Sequence, residues 1–217
     1  MKRLGVLHTL VFLADRFKSM LAERYPGLDS FHVIDESLLK DALRHGGLTP
    51  SVIRRTAQQA CLVRDAGAEV ILFTCSSTSP AVDVARRLVD VPIVKIDDAM
   101  AATAVRAGGR IGLVCTASST VEASSGLLRQ HAADQGRAIE LVTELRADAF
   151  AAVNAGDRDR HDAILRDTVR DLAGRCDVVV LAQASMAHLQ PELDAELAVP
   201  VLASPRLCVE ALAEQLG

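Results

Sequence analysis

Ile71-Leu72-Phe73-Thr74-Cys75-Ser76 and, 108 residues further on, Val179-Val180-Leu181-Ala182-Gln183-Ala184 read as one segment met twice: an apolar run of strand length that gives way to small polar residues. On the amino-terminal side, Leu4-Gly5-Val6-Leu7-His8-Thr9 returns at an offset of 107 as Ile111-Gly112-Leu113-Val114-Cys115-Thr116. On the carboxyl side, Val91-Pro92-Ile93-Val94 returns at 108 as Val199-Pro200-Val201-Leu202. A constant offset over three anchors, close to half of 217 residues, indicates a duplicated unit. The copies differ at one position that bears on chemistry: Cys75 in the first is Gln183 in the second.

Short apolar runs alternate with longer amphipathic stretches, the pattern of parallel sheets covered by helices. Strands are expected at 3–8, 31–34, 69–74, 92–95, 110–115, 138–142, 177–182 and 199–203. Helices are expected over 49–66, where Val52, Ile53, Ala57, Ala60 and Val63 share a face, and over the counterpart 157–174. Thr49-Pro50 supplies a cap and a proline at the first helical position. The expected fold is α/β, two similar lobes that each carry a parallel sheet flanked by helices. With no Gly-, Ser- or Pro-rich linker, the lobes are expected to be 1–96 plus 205–217 and 97–204, the last helix over 206–216 returning to the first.

Aromatic residues make up 3% of the chain and Trp is absent, which argues against base-stacking surfaces. The formal net charge of −4 leaves no electrostatic footprint for nucleic acid. Five scattered cysteines without a C-x-x-C or paired histidines support neither a disulfide framework nor a metal site, and reduced thiols in the cytoplasm are expected. Met1-Lys2-Arg3 and the apolar run after it imitate a secretory signal, but the same segment type recurs at 110–114, and His8 and Thr9 interrupt the run. It reads as a strand. No apolar stretch approaches the ~20 residues that span a bilayer.

Ligands of open parallel sheets sit beyond the carboxyl ends of the strands. The polar residues His8-Thr9, Cys75-Ser76-Ser77, Cys115-Thr116 and Gln183-Ala184-Ser185 all fall at such ends. Ser79 and Pro80 read as the start of a helix whose dipole would favour the Cys75 thiolate. Thr116-Ala117-Ser118-Ser119-Thr120 is a second hydroxyl-rich turn that opens a helix. His8 can act as an acid or orient a carboxylate, and His188 lies close to the second loop. His45, His131 and His161 read as surface residues, and Cys61 and Cys208 as packing residues within helices. Gly108-Gly109 precedes a strand, so it is no phosphate loop.

Thr-Cys-Ser-Ser at 74–77, Ile111 to Thr116 with Thr120 beyond it, and the strand Val178 to Ala182 together resemble the aspartate/glutamate racemase superfamily over essentially the whole chain. That superfamily includes glutamate, aspartate and hydantoin racemases, maleate isomerase and arylmalonate decarboxylase. The resemblance implies two α/β lobes with an active site in the cleft between them, no metal and no organic cofactor. It implies a small carboxylate as substrate, no nucleic-acid or membrane partner, and a homodimer as a common assembly. It assigns Cys75 as the first catalytic thiol, Ser76 and Ser77 as carboxylate contacts in one lobe, and Thr116 and Thr120 in the other. The second thiol would stand where this chain has Gln183. An amide cannot exchange a proton near neutral pH, so the two-thiol inversion of the racemases is in question. The pattern then resembles the single-cysteine members, which decarboxylate or isomerise.

On this basis Gln183 and Ser185 orient the substrate or stabilise an oxyanion, and His8, Thr9 and His188 line the substrate site. The leading expectation is a cofactor-independent isomerase, racemase or lyase acting at the carbon next to a carboxylate. The competing one is a carboxylate-binding protein that kept the cleft and lost catalysis. A redox-sensing thiol is a third, without a nearby resolving cysteine.

Overall fold

The structure, a computed structural model, describes all of residues 1–217. The chain divides into two compact units, Met1–Ile96 with Pro205–Gly217 and Asp97–Ser204. The first lobe contains β1 (Leu4–His8), α1 (Val11–Arg24), β2 (Ser30–Ile34), α2 (Glu36–Arg44), α3 (Pro50–Asp65), β3 (Val70–Phe73), α4 (Val82–Ala85) and β4 (Ile93–Lys95). The second contains α5 (Asp98–Ala107), β5 (Arg110–Cys115), α6 (Ser118–Asp134), β6 (Glu140–Leu145), α7 (Ala147–Asn154), α8 (Arg158–Ala173), β7 (Val178–Leu181), α9 (Gln190–Glu196) and β8 (Val201–Ala203). The chain then runs through α10 (Ser204–Ala211) into α11 (Ala213–Leu216).

Both sheets are parallel and share one strand order, β2-β1-β3-β4 and β6-β5-β7-β8. All eight expected strands are present, with β6 displaced toward the carboxyl side of its expected range. Equal register makes the duplication visible: Leu7 pairs with Phe73 in one sheet as Val114 pairs with Leu181 in the other. The central strands β1, β3 and β7 are buried at every residue, as sheets covered on both faces require. The edge strands β2 and β6 are partly exposed.

The repeated glycine of the first and fifth strands has a packing reason. A Cβ on Gly5 would stand 2.3 Å from Val63 Cγ1 of α3, and one on Gly112 would stand 3.2 Å from Leu172 Cβ of α8. In each lobe a helix lies close against the central strand because that residue has no side chain. The caps also follow the sequence: Thr49 Oγ1 accepts from Val52 N at 3.2 Å, and Asp157 caps α8 by accepting from Arg160 N at 3.0 Å. Residues 205–217 close the first lobe through Lys2 N to Leu216 O at 3.1 Å and Tyr25 Oη to Val209 O at 2.7 Å.

Candidate active site

In the first lobe, β3 ends at Phe73 and the chain leaves the sheet through Thr74. The Thr74 amide makes the last backbone tie to β1, donating to Leu7 O at 3.0 Å. Cys75 follows, 6% exposed, and Ser76, Ser77, Thr78 and Ser79 after it are all buried. Hydroxyls packed this densely need partners in protein or ligand. The oxygens of Thr9 and Thr78 are buried and have no hydrogen-bond partner within the protein. Thr9 was read from the sequence; Thr78, inside the same hydroxyl run, belongs with it.

The expected helix after Cys75 is shorter than its Ser-Pro signal suggests. Ser79–Ala81 forms a 3₁₀ turn that gives only one turn of α-helix in α4, and no side chain caps either. So short a helix adds little dipole at the thiol. Instead, α4 is held by an ion pair, Lys95 Nζ to Asp83 Oδ1 at 2.8 Å, with the lysine 3% exposed. Arg86 adds a tie by donating from Nη2 to Ile93 O at 2.8 Å.

His8 is 1% exposed and both ring nitrogens are engaged within the lobe. Its Nδ1 lies 2.8 Å from Thr74 Oγ1 and its Nε2 lies 2.8 Å from His32 Nδ1. Burial, then the neighbouring His32 and Lys18, push its pKa from 6.5 down to about 3. His8 therefore stays neutral and has no nitrogen left for a ligand. The sequence reading set it among the substrate-binding residues; in the structure its two nitrogens meet Thr74 and His32. His32 was missed because a single histidine in an apolar strand has the pattern of a core residue.

The equivalent strand end in the second lobe is built differently. Gln183 follows β7, and its Oε1 accepts from Thr116 N at 2.6 Å and from Thr116 Oγ1 at 3.1 Å. The amide orientation follows from these two donors, which require the oxygen. Both donors of Thr116 are thus committed to Gln183, whose Nε2 group is a further donor beside this turn. Thr116 and Thr120 are buried, and no side chain caps α6, so helix capping does not account for the hydroxyl-rich turn. Ser185 is exposed, in a 3₁₀ turn over Ala184–Met186.

His188 is exposed, and both its ring nitrogens have partners in its own lobe. Its Nδ1 lies 3.0 Å from Ser185 O and its Nε2 lies 2.9 Å from Asp162 Oδ2 at the start of α8. His161, expected at the surface, is 4% exposed and lies 2.7 Å from the other carboxylate oxygen of Asp162. Burial opposes charge on that carboxylate, but the hydrogen bonds from His161 and His188 outweigh it and hold its pKa below the usual range. The cluster closes onto itself.

Cys115 ends β5, where β1 has His8. It is wholly buried, and burial pushes its thiol up to about 12, so it remains protonated in the physiological range. It packs in the interior of its lobe.

The family model for Asp/Glu/hydantoin racemase matches residues 13–212. The chain belongs to that family. Solved structures agree in fold. An aspartate racemase from Picrophilus torridus superposes with a TM-score of 0.75 at 14% identity, covering 100% of this chain and 95% of that one. Glutamate racemase from Aquifex pyrophilus gives 0.70 at 17%, covering 98% and 83%. Unliganded arylmalonate decarboxylase gives 0.60 at 18%, covering 100% and 94%. At these identities the likeness carries the fold alone. No curated protein sequence matches the chain significantly.

Proposed function

We propose that this racemase-family member is a cofactor-independent enzyme acting at the carbon α to a carboxylate, with the Cys75 thiol as its proton-transferring or nucleophilic group. One observation supports this above the rest. Cys75 stands just past the carboxyl end of a central strand, beside a buried run of hydroxyls; Thr78 of that run and Thr9, just past β1, offer oxygens without protein partners. Such hydroxyls can donate to a carboxylate and to the enolate oxygen that forms when an α-proton leaves.

As thiolate, Cys75 takes the α-proton: the S–H bond forms as the C–H bond breaks, and the electron pair delocalises onto the carboxylate. Return of that proton by the same thiol gives exchange without inversion. In a decarboxylation, the bond to the departing carboxylate breaks, CO₂ leaves, the α-carbon takes the thiol proton, and the thiolate regains one from water. Gln183 can do neither proton step, so it serves as a hydrogen-bond donor through Nε2. The reading carries with it a small carboxylate substrate, a reducing cytoplasmic setting and a homodimer, which gel filtration checks.

The test is turnover of a panel of α-substituted mono- and dicarboxylic acids. Cys75→Ala is expected to lose roughly a thousandfold or more of the rate, the scale of a lost acid–base group, with thermal stability retained. Full activity in that variant contradicts the proposal. A second reading, a binding protein, is favoured by the amide at position 183. It predicts that a carboxylate raises the melting temperature while no acid in the panel is turned over.

A further inference from the structure

Three side chains form a polar row on one face of the first sheet, running across its strands: His32 on β2, His8 on β1 and Thr74 just past β3. His32 Nδ1 and His8 Nε2 are 2.8 Å apart, His8 Nδ1 and Thr74 Oγ1 are 2.8 Å apart, and Thr74 Oγ1 donates to Leu7 O at 3.1 Å. The rings of His8 and His32 are nearly parallel, 6° between planes, and His8 packs at 6.0 Å from the Phe17 ring of α1. The far nitrogen of the row, His32 Nε2, is buried and has no partner.

Hydrogen counting leaves two self-consistent arrangements, because each gap needs one donor and each neutral ring carries one N–H. In the first, the Thr74 hydroxyl donates to Leu7 O, His8 Nδ1–H donates to Thr74, and His32 Nδ1–H donates to His8 Nε2. In the second, the hydroxyl turns to His8 Nδ1, His8 Nε2–H donates to His32 Nδ1, and a buried His32 Nε2–H points at no acceptor. The first has one hydrogen bond more and leaves a bare acceptor in place of an orphaned donor, the milder of the two defects. A charged ring is disfavoured in either: burial lowers the pKa of both histidines, with Lys18 of α1 adding to it and Asp15 of α1 opposing it weakly at His32.

We infer that His32 is a positioning residue: by donating from Nδ1 to His8 Nε2 it holds the His8 ring where its Nδ1–H meets Thr74 Oγ1, which keeps the Thr74 hydroxyl on Leu7 O and thereby sets the strand end that carries Cys75. The link to Cys75 rests on the proposed role of that thiol; the tautomer assignment does not. Thr74 is where β3 leaves the ladder, so its hydroxyl is the last side-chain tie to β1 before Cys75.

Two readouts test this on the full-length protein, in wild type, His32→Phe and His32→Asn. The first is ¹⁵N NMR of the imidazoles, which separates protonated from bare ring nitrogens. Wild type is expected to show both His8 and His32 as neutral Nδ1–H tautomers with His8 Nε2 accepting a hydrogen bond; His32→Phe removes that bond and moves the His8 Nε2 resonance toward that of a bare, unbonded nitrogen, and His32→Asn, whose amide N–H can stand where Nδ1–H stood, restores it. The second is alkylation of Cys75 by iodoacetamide against pH, read by peptide mass spectrometry. In His32→Phe the Cys75 profile is expected to change about fivefold in rate, the equivalent of one hydrogen bond, with recovery in His32→Asn. An Nε2–H tautomer of His8 in wild type overturns the inference even if His32→Phe fails to fold. So does a folded His32→Phe with an unchanged Cys75 profile, or an Asn variant that behaves like Phe. Loss of the proposed catalysis would leave the tautomer result standing, so the two failures are distinguishable.

Discussion

At the scale of single residues, the account turns on which polar groups are engaged and which are not. Two cysteines stand at or just past the ends of central strands, Cys115 fully buried and Cys75 6% exposed. Cys115, with its thiol pushed up to about 12, is expected to resist iodoacetamide at pH 8, while Cys75 is labelled; peptide mass spectrometry reads both. Cys115→Ala should accordingly keep turnover. His8 makes a second prediction. The unfolded chain takes up a proton at this residue near its ordinary 6.5, whereas the folded chain does not until about 3. The unfolded state thus binds more protons between those values, so stability is full above about 6.5 and falls as pH drops through that window. Urea midpoints measured from pH 7 to 4 should decline, and less steeply in His8→Asn, which cannot titrate there. An equal slope in the variant would remove His8 as the cause. Cys75, the hydroxyl run and the Gln183 substitution were legible in the sequence because they stand at strand ends. The committed nitrogens of His8 and His188 were not, because their partners His32 and Asp162 lie 24 and 26 positions away and come close only through the fold.

At the scale of elements, the repeated glycines explain why the pattern survives in both lobes. Gly5→Ala would drive its Cβ into Val63 and Ala68, 2.3 and 2.9 Å away, so it is expected to destabilise the protein by about 1–3 kcal/mol, the range for an overpacked core. Gly112→Ala meets Leu172 at 3.2 Å and should cost less. Thermal or urea unfolding of the pair checks the order; equal effects would contradict the packing account. Strands, the long helices α3 and α8 and the Thr49 cap could all be read from periodicity and capping residues. The helix after Cys75 could not. Ser79-Pro80 is a start signal, but the chain supplies only a 3₁₀ turn and one helical turn, held in place by the ion pair between buried Lys95 and exposed Asp83. A start signal does not set a helix's length, and a long-range ion pair has no local signature.

At the scale of the whole molecule, the two lobes differ in how the chain completes them. The second is one continuous segment, Asp97–Ser204, while the first needs Pro205–Gly217, tied to Lys2 and Tyr25. Removing 205–217 should therefore lower hydrogen-exchange protection in β3 more than in β7; equal loss would contradict that difference. The duplicated fold keeps both strand ends but not the residue that follows them: a thiol, Cys75, at one and an amide, Gln183, at the other. The most direct test follows the α-proton of a turned-over carboxylic acid in D₂O by NMR, in wild type and Cys75→Ala. The account predicts deuterium at the α-carbon with wild type and none above background with Cys75→Ala; exchange that persists without the Cys75 thiol would contradict it.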